Sequence, residues 1–136
     1  IEAALGISQL KRLTEFVKKR NILAEKYSEL LDTEHLILPK VLEGTRSAFH
    51  LYIVRLVDKM RRQEVFNFLR ENGVGVNVHY IPVHLHPYYK KLGFADGDFP
   101  FAEDYYSRAI SIPLFPQMTV AEQETVVSFL NSAVLK

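Results

Sequence analysis

The sequence contains no cysteine among its 136 residues. This absence excludes disulfide bonds, thiol nucleophiles and cysteine-ligated zinc as features of the chain. A lack of cysteine is also typical of proteins from a reducing compartment, so we predict a cytoplasmic location. The chain has no apolar run long enough to span a bilayer, and we therefore predict no membrane partner.

An excess of charge of one sign is missing as well. The chain carries 17 lysines and arginines against 16 aspartates and glutamates, which gives a net charge of +1. Proteins that bind nucleic acid usually need a clear basic excess to neutralise phosphates, so we predict no nucleic-acid partner. With 48% hydrophobic residues, the chain is expected to form one compact domain with its own core.

The most informative stretch runs from Val74 to Tyr89 and contains three of the five histidines and two of the six prolines. Its alternating valines predict a strand over Val74–His79. Pro82 and Pro87 have no backbone donor and are expected to end the strand ladder. A strand that ends in histidine, tyrosine and proline places polar and aromatic groups at the rim of a sheet, where ligands are often held.

The other patterns predict a mixture of helices and strands. Helical spacing of apolar residues predicts one helix over residues 1–31, bent near Gly6. Two further strands are predicted at Ala48–Val57, apolar on both faces and so expected to be central and covered on both sides, and at Ala109–Leu114. Further predicted elements are a short extended piece at Leu36–Pro39 and a helix at Arg61–Asn72, with Asp58 as its N-cap and Asn72-Gly73 at its end. Helices are also predicted at Phe99–Arg108 and from Thr119, in a capping box with Glu122, to about Leu135. This order of elements predicts an α+β fold with helices on one face of a small sheet.

Histidine is the residue type that most invites a chemical role. His79, His84 and His86 could supply imidazole ligands to a metal ion. No aspartate or glutamate lies in the segment to orient them, so hydrogen-bonding groups of a ligand pocket are favoured and we predict no metal site. His50 is expected to be a core or interface residue, or else to face a pocket. No nucleophile–base set and no phosphate-binding glycine motif is present, so we assign no catalytic residue.

Five segments of the chain occur in a characteristic order. They are Ala3–Leu10, Phe49–Tyr52, Gly73–His84, Phe99–Glu103 and Ile110–Pro116. Together they resemble the C-terminal part of the DegT/DnrJ/EryC1/StrS nucleotide-sugar aminotransferases, which are fold-type I enzymes that use pyridoxal 5'-phosphate (PLP). The stretch from His79 to Tyr89 is most similar to the pseudaminic-acid branch, whose members aminate a 4-keto UDP-linked 6-deoxy-N-acetylhexosamine with glutamate as donor.

The resemblance covers essentially the whole chain and implies that residues 1–136 form the small C-terminal domain of such an enzyme. It implies a small, mainly antiparallel sheet covered by helices, with a long N-terminal helix. The large domain with the cofactor lysine would precede Ile1, so we expect a fragment that neither binds PLP nor catalyses by itself. The full-length protein is expected to be a homodimer that acts on a UDP-sugar and glutamate. The residues alone leave open a free-standing α+β ligand-binding or regulatory module without catalysis.

The resemblance also implies which residues contact the substrate. Its segment from His79 to His84 closes over the nucleotide-sugar in the family. The implied substrate-binding residues are His79, Tyr80, Ile81, Pro82, Val83, His84 and Tyr88. Backbone groups and the Tyr80 ring would hold the sugar or its diphosphate, and His84 and Tyr88 would donate hydrogen bonds. The alternative for Tyr80 and Pro82 is that they only pack a domain interface.

Overall fold

A computed structural model describes residues 2–135, and Ile1 and Lys136 lie outside it. The helices are α1 (Glu2–Leu10), α2 (Leu13–Leu30), α3 (Arg62–Glu71), α4 (Pro87–Lys90), α5 (Pro100–Arg108) and α6 (Val120–Val134), and the strands are β1 (Leu36–Ile37), β2 (Tyr52–Leu56) and β3 (Ala109–Ile112). Single 3₁₀ turns occur at Lys59–Arg61 and Val83–Leu85. The α+β class is confirmed. Among the described helices, none combines the length and apolar character needed to cross a membrane.

The sheet has the order β1-β2-β3, and both pairings are antiparallel. The central position predicted for β2 is confirmed. One face of β2 is buried through Tyr52, Val54 and Leu56, whereas Ile53 and Arg55 on the other face are only half-buried. The expectation that both faces of this strand are covered is therefore met only in part. The half-buried face is partly covered where Tyr105 of α5 lies against Arg55, whereas α2, α3 and α6 all pack on the buried face.

The core lies between the buried face of the sheet and these three helices. Residues with no exposed surface include Tyr27, Tyr52, Val54, Val65, Leu69, Ile110 and Leu130. The Tyr27 hydroxyl, buried with its ring, donates a 2.8 Å hydrogen bond to the Pro113 carbonyl and so links α2 to the end of β3. Burial raises the pKa of this phenol. Apolar burial is what holds this layer together.

The prediction of one continuous helix over residues 1–31 is wrong, because α1 and α2 are two separate helices. The chain turns at Lys11–Arg12, where the Arg12 amide donates to the Gln9 carbonyl at 3.0 Å, and α2 begins immediately afterwards. Gly6 lies inside α1, since one glycine is tolerated in a helix. No residue of α1 is buried. Its apolar side chains Leu5, Ile7 and Leu10 are exposed in this chain.

The strand predicted over Ala48–Val57 is shorter than expected. Phe49 has a φ of +41° and takes the chain out of the extended conformation just before β2. Its amide donates to the Ser47 hydroxyl at 3.1 Å, which closes a local turn. His50 follows this turn, lies outside the strand and is exposed, so a place in the core is wrong, and a place at an interface or facing a pocket stays a prediction.

The strand predicted over Val74–His79 is reduced to one bridge, between Asn77 and Ser111. The amide of Val74 donates to the Leu69 carbonyl at 2.9 Å and therefore completes the end of α3 instead of a ladder. On the other side of the bridge, the Asn77 side-chain oxygen accepts the Val78 amide at 2.7 Å. The pairing thus ends before Pro82. The predicted alternation of faces persists, because Val74 and Val76 are buried.

The predicted helix ends are mostly confirmed. Asp58 accepts the Met60 amide at 2.9 Å and caps the 3₁₀ turn that leads into α3. Gly73 follows α3 with a φ of +78°, a conformation that glycine adopts without strain. Thr119 and Glu122 form the complete capping box at the start of α6.

Candidate functional site

The histidine- and proline-containing segment leaves the sheet at the outer edge of β3. We refer to residues 79–99 as the rim. Its first attachment point is His79, whose Nδ1 lies 2.8 Å from the hydroxyl oxygen of Ser111 in β3. Just before it, Asn77 and Ser111 exchange two backbone hydrogen bonds of 3.1 and 2.8 Å. Because Ser111 is buried, this end of the rim is fixed to the core.

The second attachment point is His84, which is only 7% exposed. Its Nε2 lies 2.8 Å from Oε1 of Glu103 in the first turn of α5. Its ring packs against Phe99 with a centroid distance of 4.7 Å. The hydrogen bond from His84 holds the pKa of the Glu103 carboxyl below its usual value, and bonds from the Gly97 and Phe99 amides act in the same direction. Glu103 is thus a carboxylate acceptor, and His84 Nε2 donates to it.

Between these two points the chain exposes apolar side chains. Tyr80 is 72% exposed, Val83 60% and Ile81 49%, whereas Pro82 is buried. We refer to Tyr80, Ile81 and Val83 as the crest. The Tyr80 ring stands edge-on to the His79 ring at 4.6 Å. Apolar groups that are exposed yet held in place from both ends form a surface suited to contact a ligand.

A cavity of about 400 Å³ lies beside the crest. It is lined by Pro82, Val83, His84, Tyr89, Phe94, Phe99 and Ala102. Its size lies within the range of small-molecule sites, and His84 is the one residue of its lining with an ionisable imidazole. Tyr88 does not belong to this lining; its ring is 67% exposed and lies edge-on to Tyr89 at 5.3 Å.

The predicted site residues therefore have three different placements. His79 and His84 are used for internal hydrogen bonds, the crest faces solvent, and Tyr88 stands apart from both. Substrate contact by these residues stays a prediction. Within residues 2–135 no group of three or more histidines, aspartates or glutamates is placed to hold a metal ion. His86 instead places its Nε2 3.2 Å from the Ile81 carbonyl oxygen.

Two polar residues of the rim's support were missed from the sequence. Glu103 and Ser111 lie 19 and 32 residues from their histidine partners. Both residues belong to segments that carry the family resemblance, and that membership was the signal that could have identified them as candidates. Spacing within one segment cannot show them, because each contact joins distant parts of the chain.

A larger cavity, of about 670 Å³, lies on the half-buried face of β2 and was also missed. Ile53 and Arg55 of β2 contribute to it, together with Lys40, Arg46 and Tyr105. The Arg55 guanidinium lies 5.5 Å from the centroid of the Tyr105 ring. The lining includes three basic side chains and no acidic one, so its electrostatic character favours an anionic partner.

The lysines within residues 2–135 do not fit the cofactor implied by the resemblance. Covalent attachment of PLP needs a lysine amine that is shielded and activated. Every described lysine is exposed except Lys26, which is half-buried and lies 3.7 Å from Glu124 on the molecular surface. We therefore assign no cofactor-binding residue in the described part of the chain.

Comparisons with known proteins place these features in a family context. Residues 1–131 match the sequence model of the DegT/DnrJ/EryC1/StrS aminotransferase family. The spore coat polysaccharide biosynthesis protein SpsC of Bacillus subtilis (strain 168) is 39% identical over 98% of this chain and 36% of its own length. A UDP-4-amino-4,6-dideoxy-N-acetyl-beta-L-altrosamine transaminase of Campylobacter jejuni subsp. jejuni serotype O:2 is 31% identical over 100% of this chain and 37% of its own length.

The fold has a close counterpart among solved structures. Spr1654 from Streptococcus pneumoniae, described as a sugar aminotransferase and solved in a PLP form, superposes with a TM-score of 0.90 at 26% identity. The match covers 98% of this chain and 35% of that structure. The chain thus spans about a third of the length of the proteins that it matches.

Proposed function

The chain belongs to the DegT/DnrJ/EryC1/StrS aminotransferase family, and on that basis we propose that it is the C-terminal, substrate-binding domain of a PLP-dependent nucleotide-sugar aminotransferase. The observation that carries the proposal is the family match over residues 1–131. This chain matches only about a third of the length of each relative, and we therefore include in the proposal a second, larger part of the protein that holds the cofactor. In this proposal the chain by itself does not catalyse.

The proposed reaction moves an amino group from glutamate to the C4 carbonyl of a 4-keto-6-deoxy nucleotide-sugar. Glutamate becomes 2-oxoglutarate, and the keto sugar becomes a 4-amino sugar. The name of the Campylobacter relative describes a 4-amino-4,6-dideoxy UDP-sugar, which supports this substrate class. PLP supplies the carbonyl chemistry that carries the amino group. The proposal includes a homodimer of the full-length protein and a cytoplasmic location.

This chain contributes binding surface in the proposed enzyme. The exposed Tyr80 ring offers an apolar face to a sugar or base, and Ile81 and Val83 extend that face. Backbone groups of the same segment are available to polar atoms of the sugar or diphosphate. Tyr88, exposed near the middle of the rim, would donate a hydrogen bond from its hydroxyl in this proposal.

The test uses the full-length gene product and this chain in parallel. Each is incubated with PLP and reduced with borohydride, and the labelled peptide is identified by mass spectrometry. We expect a stable label in the full-length protein on a lysine outside residues 1–136 and no specific label in this chain. The full-length protein should then form more than one equivalent of 2-oxoglutarate per subunit from glutamate only when a 4-keto-6-deoxy UDP-sugar is supplied as acceptor, because the acceptor must regenerate the cofactor for each turnover.

Two results would contradict the proposal in different ways. An unlabelled full-length protein without amino transfer would remove the aminotransferase function and favour a ligand-binding module. A specific label on a lysine of this chain would show that the cofactor site has been placed in the wrong part of the protein.

A further inference from the structure

One carboxylate joins three separate segments of the rim and its support. Oε1 of Glu103 lies 2.8 Å from His84 Nε2, and the same carboxylate accepts the Gly97 amide at 2.9 and 3.0 Å and the Phe99 amide at 3.3 Å. His84 ends the crest segment, and Gly97 and Phe99 belong to the loop that leads into α5. The carboxylate therefore holds two parts of the rim against α5: the segment that ends at His84 and the loop that contains Gly97 and Phe99.

The crest itself makes little use of apolar burial. Tyr80 and Val83 are mainly exposed, and Pro82 is buried between them. The conformation of these residues is set by the two attachment points, His79 on Ser111 and His84 on Glu103. Only the second attachment point uses a charged acceptor, and hydrogen bonds to ionised acceptors are the stronger kind.

We propose that Glu103 is a positioning residue that fixes the crest in the conformation that binds the nucleotide-sugar, by accepting hydrogen bonds from His84, Gly97 and Phe99. The inference rests on the proposed function for its substrate. Glu103 acts through these neighbours and does not itself touch the reacting atoms. The role belongs to the segment Phe99–Glu103, to which the resemblance assigned no function.

A carboxylate is needed at this position because all its partners are donors. The amide in Glu103→Gln has nearly the same shape but replaces one acceptor oxygen with an NH₂ group. Both carboxylate oxygens lie within 3.0 Å of the Gly97 nitrogen, so the new amide would place donor against donor or give up the contact with His84. The substitution therefore weakens the attachment without creating a cavity.

The first measurement is steady-state kinetics of the full-length protein and its Glu103→Gln variant. We expect the KM for the nucleotide-sugar to rise about tenfold, the size expected from losing one charge-assisted hydrogen bond. Both kcat and the KM for glutamate should stay close to wild type, because the donor does not depend on the crest. A merely structural role would instead lower the active fraction and leave both KM values unchanged.

Asp96→Asn is the matched control. It makes the same carboxylate-to-amide change in the same loop, where Asp96 pairs with Lys90 at 3.1 Å and its side chain is 76% exposed. Such an exposed pair contributes little, so both KM values should remain at wild type. An equal rise in the nucleotide-sugar KM for the two variants would overturn the specific role of Glu103.

A second measurement does not depend on the reaction. Hydrogen exchange of the full-length protein, read by mass spectrometry, should accelerate in peptides covering residues 79–99 in Glu103→Gln but not in Asp96→Asn, with α6 unchanged in both. Unchanged exchange in the rim would overturn the positioning role whatever the substrate. A wild-type protein that does not aminate any nucleotide-sugar would overturn the proposed function, and the exchange comparison would still decide whether Glu103 holds the rim.

A third measurement, a double-mutant comparison, tests whether Glu103 acts through His84. In a His84→Gln background, Glu103→Gln should raise the nucleotide-sugar KM by a smaller factor than in wild type, because part of the same contact is already lost. An identical factor in both backgrounds would show that Glu103 does not act through His84.

Discussion

The core and the rim of this domain are held together by different interactions. In the core, α2, α3 and α6 bury apolar side chains on one face of the sheet, and residues such as Leu130 have no exposed surface. In the rim, Tyr80 and Val83 are mainly exposed, and the backbone is fixed by the polar contacts of His79 and His84. The difference shows that stability and site geometry can be changed separately, and each prediction below tests that separation.

Truncation of the core should have the largest effect. Leu130→Ala removes a side chain with no exposed surface from α6 and should lower the free energy of unfolding by about 2–5 kcal/mol. Chemical denaturation followed by circular dichroism measures the change. Leu42→Ala is the control, since Leu42 is 75% exposed and should change stability by less than about 0.5 kcal/mol. Similar losses for both would mean that burial does not distinguish these positions.

Loss of the hydrogen bond from the Tyr27 hydroxyl should have the next largest effect on stability. Tyr27→Phe removes the buried hydroxyl that donates to the Pro113 carbonyl and should cost about 1–3 kcal/mol of unfolding free energy. The same denaturation experiment applies. Tyr88→Phe removes a hydroxyl from an exposed rim residue and should leave stability within about 0.5 kcal/mol of wild type. If Tyr88→Phe were the more costly change, the division between core and rim would be contradicted.

The cap of α6 should have a smaller effect. Thr119→Ala removes the acceptor for the Glu122 amide and should cost about 1 kcal/mol. Thr119→Ser keeps a hydroxyl at the cap and should recover most of this loss. Ser132→Ala, an exposed position in the same helix, tests whether any hydroxyl of α6 matters equally. A loss for Ser132→Ala as large as for Thr119→Ala would argue against the cap.

The smallest effect on global stability should come from titration of the rim. Hydrogen bonding, first of all from His84, lowers the pKa of Glu103, so its contribution is complete above the ordinary glutamate pKa and is lost as the pH falls through the lower folded value. The NMR resonance of the Gly97 amide should report this titration, with a midpoint below that of an unperturbed glutamate. A midpoint at or above the ordinary value would contradict the contact, and the Ser132 amide in α6 serves as the insensitive reference.

Local patterns predicted the elements whose signals lie within one segment. The capping box at Thr119, the cap at Asp58 and the positions of β2 and α5 follow from neighbouring residues and were found. Boundaries were less well predicted. The left-handed Phe49 shortens β2, and the hydrogen bond from the Val74 amide to the Leu69 carbonyl at the end of α3 removes most of the next predicted strand. Both depend on hydrogen bonds that alternation of apolar residues does not encode.

The sequence by itself determined the α+β class, the family resemblance and the stretch in which the rim lies, because periodicity and ordered motifs are properties of contiguous residues. Only the tertiary structure decided that His84 faces Glu103, that His79 faces Ser111 and that one face of β2 is only half-buried. These contacts join residues far apart in the chain. Their partners are selected by packing of the whole domain, which brings a few polar groups together where apolar burial ends.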